Sequence, residues 1–294
     1  MRLGALETGG TKMVCSIGDE RGKLFDRVSI PTTYPEETLT RIAAYFTDKG
    51  IEALGIAGFG PLDLNPASPT YGYITTTPKE GWQNCPMLPY LTKELGVPAG
   101  IDTDVGAAVL AEWRMGAGKG LENLLYITVG TGIGGGVVAG GRLVHGLVHP
   151  EVGHIILKPH PDDPNPEGFC PYHVSCLEGL AKGPTFEKRW GISSKDLPEG
   201  HIGWEIEAYY LAQLCANAIT MLSTEMIVLG GGVMHRAFLY RMIRQKTLEI
   251  LGGYVAHDQV LHHIDKMIVP PGLGANSGVT GALILAADAV KNRI

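Results

Sequence analysis

Near its amino terminus the chain reads Leu3-Gly4-Ala5-Leu6-Glu7-Thr8-Gly9-Gly10-Thr11-Lys12, an apolar stretch that runs into a glycine turn. A second apolar stretch follows at residues 13–17, so the pattern predicts two strands joined by that turn. The pattern returns where an apolar stretch at residues 124–129 meets Gly130-Thr131-Gly132. Two copies of one hairpin predict an α/β fold built from two similar halves.

The composition narrows the class of protein. A length of 294 residues favours two domains, and 45% hydrophobic with 18% charged residues is typical of a folded globular protein. The net charge of −6 offers no basic surface for nucleic acid. No signal peptide or membrane-spanning run is recognisable, and the five cysteines do not indicate a disulfide framework. We therefore expect a cytoplasmic protein with neither nucleic acid nor membrane as a partner.

The two glycine turns are candidate phosphate sites. Successive backbone N–H groups can hold a phosphate where no Cβ blocks its approach, and two such turns could hold one nucleotide from both sides. The alternative is that both are ordinary hairpin turns. A dinucleotide fingerprint is disfavoured because it must open a helix, and the Gly-x4-Gly-Lys-Ser/Thr pattern is absent.

These two stretches resemble the phosphate motifs of the ROK family (repressors, open reading frames and sugar kinases) of the actin-like ATPase superfamily. The resemblance covers nearly the whole chain and continues through Ile101-Asp102-Thr103-Asp104, Glu151-Val152-Gly153-His154, Leu229-Gly230-Gly231-Gly232-Val233 and Pro271-Gly272-Leu273-Gly274-Ala275-Asn276-Ser277-Gly278. It implies an actin-like ATPase (ribonuclease H-like) fold with ATP and sugar in a cleft between two domains. We expect residues 1–115 plus 280–294 in one domain and residues 116–279 in the other.

The resemblance also implies a nucleotide site. Glu7 stands where many members carry Asp, and we expect it to hold a hydrated Mg²⁺. The turns at residues 230–232 and 272–274 should border the adenine and the ribose. The residues expected at ATP are Gly9, Gly10, Thr11, Lys12, Thr131, Gly132, Lys182, Gly230, Gly231, Gly232, Gly272 and Gly274.

A candidate catalytic base follows a predicted strand. Asp104 precedes an alanine-rich helix, and from the residues alone it could be a helix N-cap. Phosphoryl transfer to a sugar needs a base beside the acceptor hydroxyl, and the resemblance assigns that role to Asp104, with Asp102 as the alternative. Thr103 replaces the usual Asn of the family. The residues expected at the sugar are Thr103, Asp104, Glu151, His154 and Glu178.

Four soft ligands form a candidate metal site. His154, Cys170, His173 and Cys176 have the spacing His-x15-Cys-x2-His-x2-Cys, which suits tetrahedral zinc. Four protein ligands leave no position for a water, so we expect a structural zinc. ROK proteins carry zinc here, and Cys170-Pro171-Tyr172-His173-x-x-Cys176-Leu177-Glu178-Gly179 resembles the bacterial fructokinase subgroup.

The resemblance therefore implies an ATP-dependent fructokinase, which we expect to be a homodimer. Within the same class, a kinase for glucose, mannose or N-acetylmannosamine is the alternative. A sugar-responsive repressor would carry a helix-turn-helix ahead of the first phosphate motif, and the motif at Leu3 with the acidic charge disfavours it. A non-catalytic sugar-binding protein would need a damaged base, whereas Asp104 is present.

Overall fold

A computed structural model describes residues 1–77 and 79–291. Over these residues, no helix has the length and apolar character needed to cross a membrane. The strands are β1 (Leu3–Glu7), β2 (Lys12–Gly18), β3 (Leu24–Pro31), β4 (Ala53–Gly58), β5 (Ala99–Thr103), β6 (Leu124–Val129), β7 (Ile133–Ala139), β8 (Arg142–Leu143), β9 (Met226–Gly230) and β10 (Ile268–Val269). The helices are α1 (Pro35–Thr47), α2 (Met87–Leu95), α3 (Asp104–Arg114), α4 (Leu177–Ala181), α5 (Pro184–Trp190), α6 (Ile202–Leu222), α7 (Ala237–Leu251), α8 (Asp258–Met267) and α9 (Ser277–Lys291).

The first sheet has the strand order β3-β2-β1-β4-β5. Strand β1 pairs antiparallel with β2 and parallel with β4, and β5 continues the parallel part. All six residues of β4 are buried, which agrees with their uninterrupted small and apolar character. One core, with Phe46 and Trp82, lies against this sheet, and a second contains the apolar residues of α9.

The second sheet repeats this arrangement with the order β10-β9-β6-β7-β8. Strand β6 pairs antiparallel with β7 and parallel with β9, as β1 does with β2 and β4. Its core is built around Trp204 and Tyr210 of α6. The prediction of two similar halves, each opening with a glycine-turned hairpin, is confirmed.

The chain forms two compact units. The first comprises Met1–Arg114, Leu143–His149 and Ala275–Ile294, and the second comprises Met115–Arg142 and Pro150–Gly274. Residues 292–294 of the expected first domain lie outside the described residues. The expected division placed residues 143–149 and 275–279 in the second domain and Met115 in the first. Their contacts group the two segments with the first unit and Met115 with the second.

Helix α9 approaches its neighbours at backbone distance. A Cβ on Gly55 of β4 would lie 1.7 Å from the Ala282 carbonyl oxygen, and one on Gly281 would lie 1.9 Å from the Ala107 oxygen of α3. Neither glycine can be enlarged without moving a helix. The first core therefore depends on the close seating of α9.

Several elements escaped the sequence patterns. Helix α8 buries only Val260 and Met267 within a polar stretch, so its apolar period is too sparse to recognise. Helix α2 carries Pro89 in its first turn, where proline is tolerated although it breaks helices elsewhere. The glycines at residues 134–136 belong to β7, which shortens the second glycine turn to residues 130–132.

Candidate active site

The first glycine turn joins β1 to β2 and is held through its carbonyl groups. The Thr32 hydroxyl donates to the Gly9 carbonyl at 2.8 Å, the Thr32 N–H donates to the Thr11 carbonyl at 3.0 Å, and Lys79 Nζ donates to the Gly10 carbonyl at 2.5 Å. A Cβ built on Gly10 would meet no atom of the described chain within 4 Å. This open space allows a phosphate to approach the backbone.

Glu7 ends β1 beside this turn. Its carboxylate lies 3.5 Å from Arg27 Nη2, and a Cβ on Gly278 would lie 2.2 Å from its Oε1. Burial raises the pKa of Glu7; Arg27 and Lys12 lower it, and the charge of Asp104 raises it further. Glu7 and Asp104 therefore act on one another as like charges, an arrangement that a bound cation would stabilise.

The end of β5 gives three neighbouring residues different surroundings. The buried Thr103 hydroxyl accepts the Gly106 N–H at 2.9 Å, which is the hydrogen bond of an N-cap on α3. Asp104 is exposed, and its Oδ1 accepts the Val105 N–H at 2.9 Å. The N-cap considered for Asp104 is thus supplied by Thr103.

Asp102 is enclosed beneath the start of α3. Its Oδ1 accepts the Thr103 N–H at 2.8 Å, and its Oδ2 lies 2.8 Å from His145 Nε2. A Cβ on Gly106 would lie only 2.0 Å from Oδ1. Asp102, considered as an alternative base, is 3% exposed with both oxygens in these contacts. His145 was not predicted, because a lone histidine outside a motif gives no signal in one sequence.

In the second unit, several predicted nucleotide residues come together at the second glycine turn. The Gly183 N–H, next to Lys182, donates to the Gly130 carbonyl at 2.7 Å. Gly231 has φ +91°, and a Cβ there would lie 2.4 Å from the Val129 carbonyl oxygen. The segments at residues 130–132, 182–183 and 230–232 are therefore neighbours.

The fourth glycine segment lies beside the third. A Cβ on Gly230 would lie 3.0 Å from Pro271 Cγ and 2.9 Å from Tyr126 Oη. Gly272 follows Pro271 directly, and Gly274 has φ +58°, a conformation that favours glycine. The predicted adenine and ribose segments thus share one region of the second unit.

Glu178 lies at the second glycine turn. Its Oε2 accepts the Ile133 N–H at 3.1 Å, and Lys182 Nζ lies 3.4 Å from its Oε1. A Cβ on Gly132 would lie 2.9 Å from Oε2. A predicted sugar residue, Glu178, is thus in contact with the predicted nucleotide residues Gly132 and Lys182.

The segment that carries Glu151 and His154 packs against the start of strand β7. Val152–His154 is a 3₁₀ turn preceded by the exposed Glu151. A Cβ on Gly153 would lie 2.1 Å from the Ile133 carbonyl oxygen. Glu151 and Glu178 therefore belong to segments that both contact Ile133, at the start of β7.

The four predicted metal ligands are clustered. One ligand atom from each of His154, Cys170, His173 and Cys176 lies within 4.8 Å of all the others. Cys170 Sγ is 3.9 Å from His154 Nδ1 and 3.6 Å from His173 Nδ1, and Cys176 Sγ is 3.8 Å from His154 Nδ1. Zinc bonds of about 2.0–2.3 Å would put tetrahedral ligand atoms about 3.3–3.8 Å apart, so the cluster fits zinc.

A buried polar network supports the segment between the predicted metal ligands. Arg189 of α5 makes two hydrogen bonds of 2.8 Å to Asp163, whose Oδ2 also accepts the Tyr210 hydroxyl at 2.6 Å. Arg189 Nη1 donates to the Leu180 carbonyl at 2.6 Å. Asp163 lies between His154 and Cys170 in the chain, so this network holds the segment with the predicted metal ligands to α5 and α6.

The ROK family model matches residues 3–289 of the chain. The chain belongs to the ROK family. A fructokinase of Pediococcus pentosaceus is 45% identical over 292 residues, which cover 99% of this chain and 100% of that protein. A fructokinase of Zymomonas mobilis is 43% identical over 291 residues, which cover 96% of this chain and 95% of that protein.

Among solved structures, a ROK hexokinase from Thermus thermophilus is 28% identical with a TM-score of 0.78. The match covers 99% of this chain and 100% of that one. With the two mixed five-stranded sheets, this likeness confirms the actin-like ATPase fold that the ROK resemblance implied.

Proposed function

We propose that the protein is an ATP-dependent fructokinase that converts D-fructose to fructose 6-phosphate. The observation that carries this proposal is the identity of 45% and 43% to two fructokinases across nearly the whole chain. The exposed Asp104 at the end of β5 supplies the base that such a reaction needs.

In the proposed reaction Asp104 accepts the proton of the sugar 6-hydroxyl. The O6 oxygen attacks the γ-phosphorus in line, the O6–P bond forms, and the bond from the γ-phosphorus to the β,γ-bridging oxygen breaks. ADP leaves with that oxygen. Positioning and charge stabilisation supply most of the catalysis in phosphoryl transfer, because the protein does little covalent chemistry itself.

The phosphates would be held by the two glycine turns with Lys12, Thr131 and Lys182. The exposed Gly10 backbone supports this role, since it offers N–H groups without a side chain in the way. Glu7, whose pKa is raised by burial and by the charge of Asp104, would hold a hydrated Mg²⁺. That ion supplies positive charge to the phosphate oxygens when it is bound.

The sugar hydroxyls would be bound by Glu151 and Glu178, because each carboxylate can accept several hydroxyl protons. His154 Nδ1 lies beside the two sulfur atoms, so His154 as a zinc ligand would offer its other ring nitrogen to the sugar. The Thr103 hydroxyl already accepts the Gly106 N–H. We therefore give Thr103 a smaller part in sugar binding than the resemblance implied.

A structural zinc would be bound by the cluster of His154, Cys170, His173 and Cys176. All four are protein ligands, so the ion would fix the segment that carries His154 and Glu178 and would not activate a water. Burial and the neighbouring Cys170 raise the pKa of Cys176 in the chain alone, and a bound cation would favour its thiolate.

The test is a hexose panel with ADP release as the readout. We expect kcat/KM for fructose at least about tenfold above that for glucose, which is about 1.4 kcal/mol in transition-state binding. Mannose should be the second-best acceptor. If glucose or N-acetylmannosamine is the best acceptor, the assignment as a sugar kinase would stand and the assignment as a fructokinase would be wrong. The homodimer stays a prediction, which sedimentation of the purified protein checks.

A further inference from the structure

A short segment of the first unit, residues 143–149, carries two histidines that both contact parallel strands or the turns after them. We call it the histidine segment. His145 Nε2 lies 2.8 Å from Asp102 Oδ2 at the end of β5. The Leu62 N–H, four residues beyond the end of β4, donates to His149 Nε2 at 3.3 Å. A Cβ on Gly60 would lie 3.2 Å from the same nitrogen.

The histidine segment is not held by burial of its apolar side chains. Leu147 is fully exposed, and Val144 and Val148 are also exposed. Within the segment, the Gly146 N–H donates to the Val148 carbonyl at 3.0 Å and closes a turn. The polar contacts of the two imidazoles therefore help to attach it to the end of β5 and to the turn after β4.

These contacts place the segment at a functional edge of the sheet. Strands β1, β4 and β5 are parallel, so their carboxyl ends share one edge, and ligands bind at that edge in open α/β sheets. Asp104 follows β5 directly, and Glu151 lies two residues beyond His149 in the chain. The histidine segment thus lies at the strand end that carries the proposed base and leads into a proposed sugar residue.

We propose that His145, held by Asp102, is a positioning residue for the acceptor sugar, because it fixes the histidine segment at the carboxyl ends of β4 and β5. This role rests on the proposed sugar kinase activity. His145 acts through the segment and does not take part in the phosphoryl transfer. Its loss should therefore weaken sugar binding more than it lowers turnover at saturating sugar.

The pair also gives the attachment a pH dependence. The hydrogen bond to Asp102 raises the pKa of His145, against the opposing effect of partial burial. Asp102 faces it from β5, and burial, followed by the charge of Asp102, raises the pKa of Tyr71. The other titratable groups of these segments are Asp104, directly after β5, and His149. The ionic attraction is complete just below about pH 6.5 and is lost as the pH rises through the raised pKa of His145.

The first test compares His145→Ala with His145→Gln. We expect His145→Ala to raise KM for fructose about tenfold, the loss of one charge-assisted hydrogen bond, while KM for ATP stays within about twofold. The amide of His145→Gln can still donate to Asp102, so its KM for fructose at pH 6 should be close to that of the wild type. His263→Gln is the matched control, since His263 pairs with Asp258 on α8 in the second unit.

The second readout is the pH profile. In the wild type, KM for fructose should rise above the pKa of His145, whereas in His145→Gln it should be flat over the same range. Imidazole NMR titration adds a readout independent of activity, because Asp102→Asn should return the His145 pKa toward its ordinary value.

The outcomes separate this role from the proposed function. An active wild type whose His145→Ala variant keeps the fructose KM would overturn the positioning role alone, as would an unchanged pH profile in His145→Gln. A wild type that phosphorylates no hexose would remove the proposed function and this role with it. If His145→Ala does not fold, the pH profile of His145→Gln and the NMR titration decide.

Discussion

At the residue scale, three adjacent side chains at the junction of β5 and α3 have different contacts and exposure. Asp102 is buried against His145, Thr103 caps α3, and Asp104 is exposed beside the first helical turn. The backbone alternation of the strand and the start of the helix turn these side chains in different directions. Of the three, only Asp104 is exposed, which agrees with its proposed role as the base.

The first prediction tests the base. Asp104→Asn should keep the fold, because Asn preserves the size and can still accept the Val105 N–H, but it should lower kcat by about 10²- to 10⁴-fold. Steady-state kinetics with circular dichroism would measure both. If Asp104→Asn keeps near-full turnover while Asp102→Asn is inactive, the base is Asp102 and not Asp104.

A second residue-scale prediction concerns Glu207 of α6. Glu207 is 2% exposed, and its Oε1 has no hydrogen-bond partner among the described residues. Burial raises its pKa well above the ordinary 4.5. The folded protein therefore keeps a proton that the unfolded chain loses above pH 4.5, so the contribution of Glu207 to stability falls as the pH rises from about 4.5 toward its raised folded pKa.

The Glu207→Gln substitution should remove this loss of stability with rising pH. The free energy of unfolding of Glu207→Gln, relative to the wild type, should increase with pH from about pH 4.5 upward, which urea titrations at several pH values would measure. Glu249→Gln, an exposed carboxyl on α7, is the control. A difference between Glu207→Gln and wild type that does not change with pH would contradict a protonated Glu207.

Much of the site was predictable at this scale, for a physical reason. The glycine turns and Asp104 lie in short motifs, and the predicted zinc ligands lie close together along the chain, so one sequence contains their pattern. The pairing of Asp102 with His145 joins residues 43 positions apart, and the contact of Glu178 with the Ile133 N–H joins residues 45 positions apart. Such pairs depend on strand register and segment path, which no local pattern encodes.

At the element scale, α3 begins at Asp104 with a side-chain cap from Thr103. We expect Thr103→Ala to lower the free energy of unfolding by about 1 kcal/mol, because the Gly106 N–H loses its acceptor. Thr103→Ser keeps the hydroxyl and should retain most of that stability. Denaturant unfolding of both variants is the measurement, and equal destabilisation by Ser and Ala would exclude the cap.

Element prediction succeeded where an apolar stretch runs into a glycine turn. Strands β1 and β2 lie on either side of the first predicted turn, and β6 spans the apolar stretch at residues 124–129. Helix α8 was not predicted, because the tertiary contacts of two buried residues stabilise an otherwise polar helix. Strand β7 extends back through the glycines of residues 134–136, whose weak strand preference is overridden by pairing with β6.

At the scale of the whole molecule, the two units have separate cores, and the predicted zinc ligands lie in the second unit. Elemental analysis should find about one zinc per chain, lost in Cys170→Ser, since metal binding is coupled to folding. Chelation should speed amide exchange in α6 more than in β1 and β4. Cys85→Ala, in the first core, should keep its zinc, and a metal-free wild type with unchanged exchange would contradict a structural zinc.

The seating of α9 has a consequence for synthesis on the ribosome. Strand β4 and helix α3 emerge early, but the helix that must lie against Gly55 and Ala107 is translated after the whole second unit. The second core can therefore close on the nascent chain while the first still exposes apolar surface. We expect newly made chains to need chaperone protection on their amino-terminal half, and this half to finish folding last, contrary to the usual amino-first order.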